Sequence, residues 1–292
     1  MAEDRALLSA GLANERAFVL TLGGFAVEIA GATLVTHERI PVPRFNFVDV
    51  SGVSAERQTA FFERALDHYF QRALRPAFRV GLPVPAHLDR GLRRFGFLPR
   101  RDPVVPMVAE EPVGPGERGG ARVRPAVREE LDRVAAFWTS ERERPEFRAA
   151  LDIAWAHPNP DERLVPLLGS VSGHDVAAGL VYRSGRSAGF YAISTLPEGR
   201  GQGAASSVVS FALRHTPAGP VDHGFLFADS TRLERRLVKL GFRPLGRMRQ
   251  YELPPETELS MPPSPPSGPP RWRPPRTPPS GSAGDRAVGP GG

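Results

Sequence analysis

A chain of 292 residues, 40% of them apolar, is long enough for one large or two medium packed domains. It has no cysteine, which excludes a disulfide framework, a thiolate zinc site and a cysteine nucleophile. The formal charge is +6, but Lys239 is the one lysine among 38 basic residues, and the arginines alternate with Asp and Glu without forming a stripe, so nucleic acid is not an expected partner.

The N-terminus, "MAEDRALLSA", is acidic and polar, unlike the basic and apolar start of a secretory signal. The most apolar stretch, "AFVLTLGGFAVEIAGATLV", is broken by Gly23, Gly24, Glu28 and Gly31 and reads as two strands joined by a turn, not as a membrane span. A cytoplasmic, membrane-free protein is the expectation. Further on, "FFERALDHYFQRAL" has its apolar residues at helical spacing, and so does "ASSVVSFALRH". Gly and Pro cluster between these regions in "EEPVGPGERGGARVRP", which reads as a linker centred on 113–120. From Pro254 onward Pro, Ser and Gly dominate; such a segment buries too little apolar surface to offset its ordering entropy, so 254–292 reads as a disordered tail. Its "PPSPPSGPP" and "PPRWRPP" could offer polyproline ligands to an adaptor.

The two flanked regions, 1–112 and 121–253, repeat each other at an offset of 145 residues. "LRRFGFLP" from Leu92 lies over "LVKLGFRP" from Leu237, while "FNFVDVSG" lies over "FYAISTLP" and "FRVGL" over "HGFLF". Each region therefore reads as one α/β unit: strand, loop, amphipathic helix, strand, short helix and Gly-Phe.

The two copies differ in the loop before the longer helix. The second has Arg200, Gly201, Gln202, Gly203, Ala204, Ala205 and Ser206, where the first has Ala55, Glu56, Arg57, Gln58, Thr59, Ala60 and Phe61. A strand that passes through a glycine-rich turn straight into a helix aims several free N–H groups and the positive end of the helix dipole at one point, which makes a phosphate cradle. Glu56 would repel the same ligand, so only the second unit is expected to bind an anionic cofactor. A Walker A loop would need a lysine followed by Ser or Thr. The loose dinucleotide pattern of Gly199, Gly201 and Ala204 lacks the strands of a doubly wound sheet downstream. His37, His68 and His87 lack metal-site spacing.

"ISTLPEGRGQGAAS", the strand "GFLFADS" and "LVKLGFRPLGRMRQYEL" together resemble the GNAT superfamily of acyl-CoA-dependent N-acyltransferases. The family's motif is met by Arg200, Gly203 and Ala205, and the first region resembles a degenerate copy. The resemblance implies an α/β (α+β) fold of two units, each a mixed, mostly antiparallel sheet flanked by helices. It implies acetyl-CoA as co-substrate, its pyrophosphate on the amides of 201–206 beside Arg200 and its pantetheine along Ile193, Ser194 and Thr195, with Ser230 near by. Acetyl transfer to a small-molecule or peptide amine is the implied reaction.

An alkylammonium acceptor must lose a proton, at a cost of about 4.6 kcal/mol at neutral pH, so a base is required. The stretch "RSGRSAGFYAIS" has no carboxylate where the family commonly has one, and the tyrosine often found four residues before Gly-Phe is replaced by Leu237. Asp152, Glu162 and His223 are candidate bases, and Tyr191, Ser230 and Tyr251 candidate proton donors. The gaps leave room for an acyl-CoA-binding regulator without turnover, or for a protein recruited through its tail.

Overall fold

The computed structural model describes residues 2–50, 53–109, 121–139, 143–157, 162–214 and 221–254. The linker at 113–120 and the tail beyond Pro254 lie outside the described residues.

The chain opens with α1 (Ala2–Thr21), the hairpin β1 (Phe25–Ile29) and β2 (Ala32–Thr36), then β3 (Phe47–Val50), α2 (Gln58–Phe70), β4 (Ala77–Gly81), α3 (Ala86–Arg94), β5 (Leu98–Pro99) and β6 (Val105–Ala109). After the linker come β7 (Arg122–Pro125), α4 (Leu131–Ala135), α5 (Arg144–Trp155), β8 (Glu162–Val171), β9 (His174–Ser184) and β10 (Ser187–Thr195). They are followed by α6 (Ala204–Arg214), β11 (His223–Ala228), α7 (Thr231–Lys239), β12 (Arg243–Pro244) and β13 (Met248–Glu252). One expectation needs correcting: the apolar stretch from Ala17 is not strand from its start. Leu7, Gly11, Asn14, Glu15, Phe18 and Val19 recur at helical spacing and form the buried face of α1, and strand begins only at Phe25.

The repeat is carried through the fold. Helices α3 and α7, and strands β5 and β12, coincide at the offset of 145 residues. The two sheets run β1-β2-β3-β4-β13-β5 and β8-β9-β10-β11-β6-β12, with β7 added at the outer edge of the second. The same position is filled crosswise in the two orders. Strand β6, which precedes the linker, lies between β11 and β12, and β13, near the end of the second region, lies between β4 and β5. Where the crossing strands meet, Val104 and Met248 exchange both backbone hydrogen bonds, at 2.9 and 2.8 Å. The boundary read at 113–120 therefore separates the copies along the chain but not the two sheets. All five residues of β6 are buried, so the strand needs an interior place, and its own run of apolar residues does not say in which sheet.

Helix α1 crosses in the same direction. Its Leu7 packs with Val108 and Phe225 of the second sheet, and the ring of Phe18 stacks on Tyr191 at 4.0 Å between centroids. A shared core, including Phe18, Phe45 and Phe47 from the first unit and Leu131, Phe147 and Tyr182 from the second, joins the two. Each buried phenylalanine of this kind contributes about 2 kcal/mol from area removed from water.

Candidate active site

Strand β10 is laddered to β9 on one side, but the register slips by one residue between Tyr191 and Ser194, where Ala192 has φ +48°. On its other side β10 pairs in parallel with β11 only from Ser187 to Gly189, opposite His223 to Phe225. Beyond that point the strands part, and a cleft of about 1210 Å³ opens between Phe190, Ile193, Ser194 and Thr195 on one side and Leu226, Phe227, Asp229 and Ser230 on the other. The main-chain edge of β10 along this stretch has no ladder partner, and the buried Thr195 hydroxyl oxygen makes no hydrogen bond.

At one end of the cleft stands the head of α6. Gly201 and Gly203 have φ of +80° and +75°, conformations a side chain rarely adopts, and these turn the chain into the helix at Ala204. The first helical bond is donated by Ser207 to the Gly203 carbonyl at 2.9 Å, so the N–H groups of Ala204, Ala205 and Ser206 precede the ladder and are open to a ligand. Arg200 lines the cleft here, and Arg232 and Arg236 of α7 line it from across. Of the predicted cofactor residues, Gln202 is the exception: it does not line the cleft, and its side-chain amide donates back to the Glu198 carbonyl at 2.8 Å.

The opposite wall comes from the first unit. Glu15 of α1, Arg44, Arg79 of β4, Arg100, and Gln250 and Glu252 of β13 all line the cleft. Glu15 and Arg79 form a buried ion pair at 2.5 Å, and the Arg79 guanidinium lies 3.9 Å over the Phe47 ring. Next to Arg79 in the ladder, Asp49 has a buried oxygen without a hydrogen bond, and its burial, opposed in part by Arg79, pushes its pKa up to about 6. None of these residues belongs to a local motif. Two of them stand out in the sequence as a charge inside an otherwise apolar segment, Arg79 in "AFRVG" and Glu15 on the apolar face of α1.

No protein-family model matches the sequence, and a search of curated proteins finds no match. Solved structures do match. A GCN5-related N-acetyltransferase from Kribbella flavida superposes with a TM-score of 0.59 at 15% identity, over 82% of this chain and 94% of that one. The fold is that of the GNAT proteins. A GCN5-related N-acetyltransferase from Sphaerobacter thermophilus gives a TM-score of 0.55 at 16% identity, over 76% of this chain and 79% of that one. A tandem GNAT protein from the clavulanic acid biosynthesis pathway gives 0.50 at 14%, over 77% of this chain and 79% of that one.

Within this double GNAT fold, most of the expected acid and base candidates stand away from the cleft. Asp152 is tied to Arg128 at 3.3 Å and to Arg148 on the outer face of α5. Glu162 opens β8, opposite Ser184, away from β11. His223 sits at the start of β11, where the two strands are still paired. The Tyr191 hydroxyl donates to Asn14 Oδ1 at 2.7 Å inside the joint between the units, and burial drives its pKa far up. Its ring lies across Gly189, where a Cβ would come within 2.3 Å of the hydroxyl. Tyr251 belongs to the first sheet and donates to Asp89 at 2.7 Å; burial, then this carboxylate, push its pKa up to about 12. None of the four tyrosines lines the cleft, whereas Leu237 does. Ser230 does too, and its hydroxyl oxygen caps α7 by accepting from the Leu233 N–H at 3.3 Å.

Of the seven histidines, His37 bonds the Leu22 carbonyl, His68 the Thr36 hydroxyl and His87 the Val53 carbonyl. Among the described residues no group of His, Asp and Glu is arranged to hold a metal, and no helix is long and apolar enough to cross a membrane. Trp138 packs edge-on against Phe147, and Trp155 lies partly exposed outside the cleft.

Proposed function

We propose that the protein is an acyl-CoA-dependent N-acyltransferase, acetyl-CoA being the donor, with one working site in the second unit. The observation that carries this reading is the parting of β10 and β11 directly beside the glycine-turned head of α6. An extended donor with a pyrophosphate fits both features. Its phosphates would meet the amides of Gly203 to Ser206 and the cations Arg200, Arg232 and Arg236, and its amide-bearing arm would pair with the open edge at Ile193 to Thr195. When bound, the donor supplies an acyl group activated as a thioester.

The chain's own residues do the rest. The slip in register between Tyr191 and Ser194 leaves Ala192 and Ile193 out of the β9 ladder, and main-chain donors there would stabilise an oxygen that gains charge, each contributing a few kcal/mol in a dry site. Glu15 replaces the missing strand carboxylate. Its Oε2 is held by Arg79, which leaves Oε1 to take a proton from an incoming ammonium. The shared wall orients the amine, so transfer is direct within a ternary complex. Leu237 and the absence of any tyrosine from the cleft favour a second reading, an acyl-CoA-binding regulator without turnover.

Calorimetric titration with acetyl-CoA tests the site. One equivalent binds to the wild type, and Gly203→Glu lowers affinity at least 100-fold, because a side chain at φ +75° is strained and its carboxylate opposes the phosphates. Unchanged binding by the variant would overturn the cradle. Thiol release on adding an amine then separates the enzyme from the regulator.

A further inference from the structure

The walls of the cleft carry Arg44, Arg79, Arg100, Arg200, Arg232 and Arg236, against the acids Glu15, Asp229 and Glu252. That surplus of positive charge opposes polyamines and other polycations as acceptors, since like charges gathered in a cleft repel an incoming ligand. Three of the arginines stand at the α6 and α7 end, and the other three form the first unit's wall, where an acceptor would enter. Of these, Arg79 is taken by Glu15 at 2.5 Å, and Arg100 stands 4.0 Å from Glu252. Arg44 is exposed and has no ion pair among the described residues. Glu15 and Arg44 both line the cleft from the first unit's side.

A carboxylate and an unpaired guanidinium on one wall match a ligand that carries an ammonium and a carboxylate close together. We infer that the acceptor is an α-amino acid, its amine facing Glu15 and its carboxylate held by Arg44 with Arg100 behind. The inference rests on the acyltransferase reading. In the reaction the amine nitrogen bonds the acyl carbon as the carbon–sulfur bond breaks. Of the two protons the ammonium gives up, one leaves with the thiol and the other is released through Glu15 to solvent.

The test follows thiol release by the full chain with acetyl-CoA and three sets of amines: the α-amino acids, their α-amides and spermidine. Expected is turnover of at least one amino acid, with its amide at least tenfold poorer in kcat/KM and spermidine inert. Arg44→Ala raises KM for the amino acid about tenfold or more while leaving calorimetric affinity for acetyl-CoA unchanged. Arg44→Lys recovers part of the loss, which a merely structural role would not produce. Equal use of amides, preference for spermidine, no turnover of the panel by protein that binds acetyl-CoA, or indifference to Arg44→Ala overturns the acceptor assignment and leaves the donor site standing. Failure to bind acetyl-CoA overturns the acyltransferase reading and the acceptor assignment with it.

Discussion

The two units share the order of six strands, and beside the extra edge strand β7 of the second they differ most at one joint, where the third strand of that order meets the fourth. In the first unit the last residues before the loop, Phe47 to Val50, are laddered on Ala77 to Val80, and the sheet is closed. In the second the ladder between β10 and β11 stops at Gly189, and from Phe190 to Thr195 β10 keeps only its β9 side while its other edge borders a cleft. The helix heads follow suit. Gln58 lies at the α2 head with its side-chain amide packed against Gly91 of α3, so tightly that a Cβ there would come within 1.9 Å of it; the corresponding place at the α6 head is Gly203. A shared fold thus does not make a shared site: the copy with the cleft is the one whose sheet is left open, and the closed copy supplies a charged wall to it.

Four changes test that contrast. Ending the chain at Leu245 removes β13 from between β4 and β5, which should abolish cooperative folding of the first unit and, through the shared core, disrupt the second; circular dichroism on thermal melting reads this out, and a truncated chain that melts like the wild type would show that the exchanged strand is dispensable. Arg79→Ala strands Glu15 and Asp49 without their cation and should cost about 3–5 kcal/mol in urea denaturation. The matching position in the second unit is Gly224, which leaves room for Phe190, so the charge belongs to the closed joint alone.

Asp49→Asn should remove a pH dependence. Because burial raises the folded-state pKa of Asp49 to about 6, the native chain holds the proton where the unfolded chain has released it, and stability falls as pH rises from about 4 to about 6. The loss is up to about 3 kcal/mol, and the Asn variant should lack that part of the slope. The smallest effect is expected of Gln58→Gly, at about 1 kcal/mol of stability. It should also create no second acetyl-CoA site in calorimetry, because β3 and β4 remain laddered. A second equivalent bound would mean that the loop alone makes the site.

The glycine-turned loop was legible because Gly201 and Gly203 satisfy a purely local demand of the backbone, and the cleft lies beside them. The surroundings of the acid and base candidates were not, because the partners are distant in the chain: Tyr191 bonds Asn14, and Asp152 pairs with Arg128 as well as with its neighbour Arg148. Glu15, the base proposed above, comes from the other unit, on a helix whose last turn has the apolar pattern of a strand.

Residue identities alone establish that one α/β unit occurs twice, that only the second copy has a glycine-rich turn before its longer helix, and that cysteine chemistry is absent. These follow from residue identity and short spacing. That β6 and β13 change places, that α1 lies on the far sheet, and that Glu15, Arg44, Arg79 and Arg100 reach the cleft are consequences of how the assembled chain packs. An apolar strand records that it must be buried on both faces, but its backbone pairs equally well in either sheet, so the choice rests on how the assembled units pack.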